Sequence, residues 1–413
     1  MEQKHEILLQ ALRCSLAGGQ LEPVVDFSDG QWEEVFRISE QHKILPLIFE
    51  AVYAQTGLQN SQLLSRYRSR VMQTVFYQTG KTMEFLQLYA RLQEAGVTPL
   101  VVKGIICRNL YPMPDHRISS DEDVLIPPEQ FDLAHRVLTE FGMTTTEAEE
   151  NFASAYEIPY RKPGSSLYIE LHKHLFSPQS GAYGHLNSFF EGIFYRTTTE
   201  LIQGTSILTM GYTDHLFYLI CHAFKHFLHS GFGIRQVCDI IMYANRYGTH
   251  IDWLLVLENC RAIRAERFAA ALFEIGSRYL GFDPQRACYA ARWRAIEVDP
   301  EPMLLDLLDA GIYGGADMSR KHSSTITLTA VENQKKGKLG GGVLRSLFPP
   351  AKSLQGRYPY LRRYPVLLPV AWVSRIAAYG VETAGAERNN AAESIRIGAE
   401  RVELMKKYCI LDE

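Results

Sequence analysis

The stretch Asp121-Glu122-Asp123-Val124-Leu125-Ile126 joins two carboxylates to an apolar run, and Pro127-Pro128 ends it. A short apolar run bounded by breakers is typical of a buried strand. Side chains two positions apart in a strand point to the same face, so the carboxylates of Asp121 and Asp123 are expected to converge. Two neighbouring carboxylates repel each other unless a cation lies between them. The stretch therefore predicts a strand that carries either an ordinary Asp-x-Asp pair, which is common, or a site for a hard divalent cation.

Three other stretches have strand character and surround this one in the sequence. They are Pro99-Leu100-Val101-Val102, Leu167-Tyr168-Ile169-Glu170-Leu171-His172 and Ser206-Ile207-Leu208-Thr209-Met210. Lys103-Gly104 follows the first stretch as a turn, ahead of a short helix over 105–110. Glu170 and His172 share one face of the second stretch. That face is either an exposed polar surface or the source of a third carboxylate, Glu170, that completes a two-metal site.

The rest of the chain is predicted to be helical. A capping box at Ser28 and Gln31 starts one helix, and a long pattern over 61–94 stops at Gly96. Later helices are predicted over 233–247, 251–261, 265–280, 284–296, 300–311 and 386–408, whereas 312–360 is loop-rich and contains Gly340-Gly341-Gly342. We therefore expect an α+β chain of four regions: an N-terminal helical region (1–95), an α/β core (96–212), a helical bundle (213–311) and a C-terminal extension (312–413).

Composition narrows the protein class. Lys plus Arg is 43 and Asp plus Glu is 46, giving a net charge of −3, which leaves no electrostatic footprint for general nucleic-acid binding. The seven cysteines form no Cys-x-x-Cys pair, which favours reduced thiols over a disulfide framework or a zinc ribbon. The N-terminus lacks a signal-peptide pattern, and no apolar run is long enough for a membrane span. A cytoplasmic location is expected.

The block over 97–127 resembles a known family in the order of its motifs. Lys103-Gly104, Tyr111-Pro112, Arg117 and Asp121-x-Asp123 follow one another as they do in the uncharacterised nucleotidyltransferase family of the DNA polymerase beta superfamily. The resemblance continues in Ile169-Glu170-Leu171-His172. It also includes His222-x-x-x-His226, followed by Arg235 and Asp239.

The resemblance implies a small mixed β-sheet flanked by helices and a Mg²⁺-dependent transfer reaction. A nucleoside monophosphate group would pass from a nucleoside triphosphate, with ATP the foremost candidate, to a hydroxyl of a small molecule or a protein. Asp121, Asp123 and Glu170 would be the catalytic residues and would hold two Mg²⁺ ions, with Glu170 helping the acceptor hydroxyl to lose its proton. Residues implied to bind the nucleotide are Lys103, Gly104, Arg117 and Ser120.

In this interpretation the Lys103-Gly104 turn and the helix after it face the triphosphate. Gly104 would serve by a positive φ or by close approach to the phosphates. A Cβ there is expected to obstruct the nucleotide while disturbing the fold little. Ile105 stands where the superfamily usually has Ser, and Glu122 where an apolar residue is usual. A nucleotide-binding protein without turnover is therefore the alternative.

Other side chains have two interpretations each. Arg117 suits bidentate phosphate contact, or an ion pair with Asp115 or Asp121. His172, His222 and His226 are candidates to border the cleft, and packed, hydrogen-bonded imidazoles are favoured over a His222–His226 metal site. Arg235 and Asp239, four positions apart, are expected to pair within one helix. Removing the charges of Asp121 and Asp123 together is expected to leave the protein folded or more stable.

Overall fold

The computed structural model describes residues 1–55, 62–310, 318–335, 354, 358–374 and 391–412. Helices dominate this part of the chain. Their bounds are α1 Gln3–Leu16, α2 Asp29–Gln41, α3 Leu45–Val52, α4 Gln62–Glu94, α5 Ile105–Arg108, α6 Phe131–Glu140, α7 Glu149–Phe152, α8 Tyr212–His229, α9 Ile234–Tyr247, α10 Trp253–Ala262, α11 Glu266–Ile275, α12 Ala291–Arg294, α13 Glu301–Ala310, α14 Met318–Lys335 and α15 Ala391–Lys407. The predicted capping box at Ser28 and Gln31 is formed at the start of α2.

The strands form a four-stranded mixed sheet and a separate hairpin. Their bounds are β1 Leu100–Val101, β2 Glu122–Leu125, β3 Glu157–Arg161, β4 Tyr168–His172, β5 Thr197–Ile202 and β6 Thr205–Met210. The sheet order is β1-β2-β4-β3, with β2 and β4 parallel and the outer pairs antiparallel. The α+β class and the small mixed sheet are therefore confirmed.

Two strands, β3 and β5, lie outside the predicted set. β3 contains Pro159, which cannot donate to a ladder, and the strand is accordingly placed at the edge of the sheet. β5 pairs with β6 through the turn residues Gln203 and Gly204, whose φ angles are +48° and +84°. Both central residues with positive φ are the signature of a tight hairpin turn. The stretch 206–210 therefore belongs to this hairpin rather than to the main sheet.

Apolar burial fixes the sheet against its covering helices. Val101, Val124 and Leu171 are almost fully buried in a cluster that also includes Phe85 and Leu88 of α4. The hydroxyl of Thr209 donates to the Val101 carbonyl at 2.6 Å, and this bond attaches the hairpin to β1. Helix α8 is tied to the same strand end by His215, whose Nε2 lies 2.7 Å from the Val102 carbonyl. These contacts therefore fix the position of the sheet relative to α4 and α8.

The helical prediction over 284–296 was wrong in its first half. Asp283 accepts hydrogen bonds from the backbone N–H groups of Gln285 and Arg286, and Cys288 has φ +51°, so only Ala291–Arg294 is helical. An Asp side chain that binds its own following backbone competes with helix formation. Within 312–360, 318–335 forms α14; Gly340-Gly341-Gly342 lies outside the described residues.

The C-terminal helix α15 packs against α14 and reaches the end of α8. Arg401 of α15 donates to the carbonyl oxygens of Phe227 and His229 in the last turn of α8. A cation at the C-terminal end of a helix is favoured by the helix dipole. Among the helices that the structure describes, none combines the length and the apolar character needed to cross a membrane.

Candidate active site

A cleft of about 350 Å³ opens between the sheet and the helices α8 and α9. Most of the residues predicted for the site line it. They are Lys103, Arg117, Ser120, Asp121, Asp123, Glu170, His172, His222 and His226. The sheet supplies the carboxylates, α8 supplies the two helical histidines, and the segment before β2 supplies Arg117 and Ser120.

Parallel pairing of β2 and β4 brings Asp123 and Glu170 side by side. They are register partners, and one ligand atom each from Asp123, Glu170 and His172 lies within 4.8 Å of the others. Asp121 immediately precedes β2 and lines the same cleft. Buried apolar side chains of both strands, such as Val124 and Leu171, hold these polar groups in place. The cluster can therefore present carboxylate oxygens to a single cation.

Asp123 is buried and has a cation at each carboxylate oxygen. Lys103 Nζ lies 2.7 Å from Asp123 Oδ2, and His172 Nε2 lies 3.2 Å from Oδ1. Burial opposes ionisation, but the Lys103 charge and the His172 hydrogen bond outweigh it and hold the pKa of Asp123 well below its usual value. The pKa of Lys103 is raised, because the attraction of Asp123 and Asp121 exceeds the effect of its own burial.

Glu170 and His172 have opposite protonation tendencies. Burial raises the pKa of Glu170, and the neighbouring charges of Asp123 and Asp121 add to this, against a hydrogen bond from His172. Burial disfavours the imidazolium of His172, but hydrogen bonds to Asp123 and Glu170 raise its pKa to about 10. The site thus holds a charged imidazole between carboxylates that repel each other. A divalent cation at this point would relieve the same repulsion.

The two helical histidines form a neutral pair beside Lys103. His222 Nε2 lies 3.1 Å from Lys103 Nζ and 3.3 Å from His226 Nε2. Burial lowers the pKa of both imidazoles, and the charges of Lys103 and Lys225 lower it further. Neutral His222 therefore accepts a hydrogen bond from Lys103. This is the packed, hydrogen-bonded arrangement favoured from the sequence.

Lys103 lines the cleft, whereas Gly104 lies against a buried carboxylate. Gly104 has φ +53°, as the sequence suggested, but a Cβ there would lie 1.9 Å from Oε2 of Glu122. The same oxygen accepts the Ile105 backbone N–H at 2.7 Å, at the start of α5. The expectation that a Cβ at Gly104 is harmless to the fold was wrong, because a buried carboxylate fills this space. That Gly104 and α5 face the triphosphate stays a prediction, and the bond of the Ile105 N–H to Glu122 does not support it.

Glu122 itself is anchored by basic and hydroxyl groups behind the cleft. Its Oε1 accepts from Arg108 at 2.5 Å and from Ser119 at 3.1 Å, and Lys81 Nζ lies 3.5 Å away. Burial opposes ionisation, yet the charges of Arg108 and Lys81 lower the pKa of Glu122. The residue that departs from the family pattern thus organises the turn.

Arg117 is paired with a residue from another element. Its Nε donates to Asp239 Oδ1 at 3.0 Å and its Nη2 to Oδ2, and the Tyr111 hydroxyl donates to the same carboxylate at 2.8 Å. The expected partners were Asp115 or Asp121, but the Asp115 carboxylate accepts from Thr79 at 2.7 Å. The expected pairing of Arg235 with Asp239 was also wrong, because Asp239 is taken by Arg117.

Arg235 instead donates to the backbone carbonyl of Ile118, just before the carboxylate stretch. Its Nε is shielded from solvent and has no hydrogen-bond partner. Burial and the charge of Arg117 lower its pKa to about 10, which leaves it charged at neutral pH.

Several residues that line the cleft gave no clear signal in the sequence. They are Lys43, Tyr156, Glu157, Leu175, Tyr183, Tyr218, Lys225, His229, Arg235, Gln236 and Asp239, of which only Arg235 and Asp239 belonged to a recognised motif. Lys43 lies between α2 and α3, has φ +53° and donates to the Ser120 hydroxyl. A side chain 77 positions from Ser120 leaves no local pattern by which the contact is predicted. Glu157 is hidden for a related reason, since the strand that carries it was missed.

Comparison with known proteins now identifies the family. The family model of the uncharacterised nucleotidyltransferases matches residues 28–281, which is more than half of the chain and includes the whole sheet, α8 and α9. No curated protein and no solved structure is significantly similar to the chain. The match agrees with the motif order of the 97–127 block and with the placement of its carboxylates in one cleft. The chain belongs to the uncharacterised nucleotidyltransferase family and is, by that membership, an enzyme that transfers nucleotidyl groups from a nucleoside triphosphate.

Proposed function

We propose that this protein transfers a nucleoside monophosphate group from ATP or another nucleoside triphosphate to a hydroxyl group of an acceptor, in a reaction that depends on Mg²⁺. The observation that carries the proposal is the meeting of Asp121, Asp123 and Glu170 in one cleft, with Asp123 and Glu170 paired in register on parallel strands. Carboxylates in this arrangement suit hard divalent ions, which also take phosphate oxygens as ligands.

The donor set fits such ions. Asp121, Asp123 and Glu170 offer carboxylate oxygens. The pKa of Glu170 is raised first by burial and to a smaller extent by repulsion from Asp123 and Asp121, and a bound cation would relieve the repulsive part. We assign these carboxylates to two Mg²⁺ ions. When bound, the ions neutralise charge on the phosphates and polarise the reacting phosphoryl group.

The protein's own residues have separate roles in this proposal. The acceptor oxygen forms a bond to the α-phosphorus, the bond from that phosphorus to the pyrophosphate oxygen breaks, and the acceptor proton passes to Glu170. Glu170 lines the cleft beside Asp123, where its carboxylate can act as the general base. Lys103 positions Asp123 through the 2.7 Å ion pair, and Ser120 lies beside Asp121 at the cleft surface. Arg117, held by Asp239, acts as a positioning residue.

A second candidate is a protein that binds the nucleotide without turning it over. It is favoured by the engagement of both Asp123 oxygens, one by Lys103 and one by His172. A metal ion at Asp123 must compete with both. The Ile105 N–H at the start of α5 is also bonded to Glu122, so it is not free to contact a phosphate.

The discriminating experiment uses each of the four nucleoside triphosphates, labelled at the α-phosphate, with Mg²⁺. Thermal melting reports binding, since a ligand at 100 times its dissociation constant stabilises by about 2.7 kcal/mol. Label transfer to the protein or to a panel of polyhydroxy small molecules, together with pyrophosphate release, reports turnover. We expect transfer that Asp121→Asn abolishes. Stabilisation by a triphosphate without label transfer or pyrophosphate release contradicts the enzyme proposal and supports the second candidate.

A further inference from the structure

The start of α5 carries negative charge at the point where a triphosphate was expected. The Ile105 N–H is already bonded to Glu122 at 2.7 Å, and Gly104 lies against the same carboxylate. A phosphate placed there would meet an ionised Glu122 instead of a free backbone donor, and like charges repel strongly where water is excluded. A triphosphate in this cleft therefore needs cationic donors from another element.

Two basic side chains contact the segment that precedes Asp121. Arg235 lies in the first turn of α9 and donates to the Ile118 carbonyl, and Lys43 donates to the Ser120 hydroxyl. Both cations are thus held against the segment that leads directly into Asp121. They come from regions far apart in sequence, and both line the cleft.

The charges of these two residues are not neutralised by an ion pair. Lys103 is paired with Asp123 and Arg117 with Asp239, but over the described residues no carboxylate lies within ion-pair distance of Arg235 or Lys43. The Nε of Arg235 is in addition buried without a hydrogen-bond partner. A buried donor left unpaired costs free energy, and a bound acceptor removes that cost.

We propose that Arg235 and Lys43 form an anion subsite that binds the β- and γ-phosphates of the nucleoside triphosphate. This inference rests on the proposed function and adds the location of the phosphate chain. A guanidinium group suits bidentate contact with phosphate oxygens. The positive end of the α9 dipole lies at the same place and favours negative charge. Phosphates held here lie next to Asp121, so the α-phosphate is directed towards the carboxylates.

Titration calorimetry with inorganic tripolyphosphate, in the presence of a chelator, tests the subsite without any contribution from metal. The variants are Arg235→Gln and Lys43→Gln, which remove the charge and keep a hydrogen-bond donor. Each is expected to weaken tripolyphosphate binding by at least about tenfold, as the loss of a charge-assisted hydrogen bond implies. Lys225→Gln is the matched control, because it removes another cleft cation, on α8, that lies over the Tyr183 ring and forms no ion pair with the described residues; it is expected to weaken binding less than about threefold.

Equal binding by wild type, Arg235→Gln and Lys43→Gln overturns the subsite, as does an equal loss in Lys225→Gln, which would indicate a general charge effect. If Arg235→Gln fails to fold, Lys43→Gln carries the test, because among the described residues its ammonium group forms a hydrogen bond only with the Ser120 hydroxyl. Tripolyphosphate binding that depends on both residues, in a protein without nucleotidyl transfer, supports the subsite and contradicts the enzyme proposal. Transfer activity with unchanged tripolyphosphate binding in both variants supports the enzyme proposal and contradicts the subsite.

Discussion

The Glu122 side chain occupies the backbone donor that the Lys103-Gly104 turn was expected to offer to a phosphate. Its carboxylate takes the backbone N–H of Ile105 and fills the space beside Gly104, so the start of α5 is completed by the protein itself. The sequence places a glycine and a helix start where a phosphate site is usual, and both are present. The Ile105 N–H is nevertheless not free for a phosphate, because Arg108 and Lys81 hold Glu122 as a buried anion at that point.

Gly104→Ala is expected to destabilise the protein strongly. The new Cβ would combine a φ of +53° with a contact of 1.9 Å to a buried, anchored carboxylate. Gly96→Ala is the control, since Gly96 has φ +87° and nothing within 4 Å of its Cβ position. A positive φ costs a residue with a Cβ about 1–2 kcal/mol in the left-handed helical region. At Gly104 the cost is higher, because its ψ of −113° lies outside that region, and overpacking adds about 1–3 kcal/mol there alone. Urea unfolding measures both, and equal losses of stability would contradict this role of Glu122.

Asp123→Asn is expected to destabilise the metal-free protein by about 3–5 kcal/mol, because it leaves the charges of Lys103 and His172 buried without their shared anion. Asp121→Asn, at a partly exposed position outside these pairs, is expected to cost less than about 1 kcal/mol. This reverses the expectation from the sequence that removing both charges relieves repulsion. Urea unfolding in the presence of a chelator measures the stability of both variants. Equal stabilities would support the expectation that the two carboxylates mainly repel each other.

At the scale of elements, the pairing of β2 with β4 was largely predictable. The contacts of α9, on the opposite side of the cleft from the sheet, were not. The carboxylate spacing and the apolar runs indicate two strands, and their parallel register places Asp123 beside Glu170. The partners of Asp239 and Arg235 were mispredicted, because helical spacing predicts neighbours along one helix and cannot reveal that Arg117 arrives from a distant segment. Edge strand β3 was missed because Pro159 interrupts its pattern.

His215 attaches α8 to the sheet, and its protonation is expected to loosen that attachment. Burial lowers its pKa to about 4, against a hydrogen bond to the Val102 carbonyl that favours the charged form. The unfolded chain binds the proton below its ordinary pKa of 6.5, so stability falls as pH decreases from 6.5 to about 4. The contribution of one such residue is at most about 3 kcal/mol.

The measurement for His215 is the free energy of unfolding against pH in wild type and His215→Gln. The variant is expected to lose stability less steeply between pH 6.5 and 4, while the buried His42, whose pKa burial also lowers to about 4, preserves part of the slope. Identical slopes in the two proteins would mean that His215 does not titrate as its burial requires.

For the whole molecule, the matched family segment is not expected to be an independent folding unit. The main apolar cluster includes Leu8 and Leu12 of α1, Leu304 of α13 and Met405 of α15, all outside 28–281. Each buried side chain of this size is worth about 1.5–3 kcal/mol, so losing several exceeds a stability margin of about 5–15 kcal/mol.

A protein consisting of residues 28–281 alone is therefore expected to lack a cooperative thermal transition and to bind a hydrophobic dye, unlike the full chain. Circular dichroism and dye fluorescence give the comparison. A cooperative transition at the temperature of the full chain would show that α1, α13 and α15 are dispensable for the fold.

The central claim is that Asp121, Asp123 and Glu170 together hold a divalent metal ion beside a nucleoside triphosphate. Paramagnetic resonance of Mn²⁺, with α,β-methylene-ATP present so that no transfer occurs, measures this directly. We predict saturable Mn²⁺ binding that Asp121→Asn and Glu170→Gln each weaken by at least about tenfold. Glu157→Gln, which removes a neighbouring cleft carboxylate on β3, should change it less than about threefold. Equal Mn²⁺ affinity in wild type, Asp121→Asn and Glu170→Gln would contradict the account.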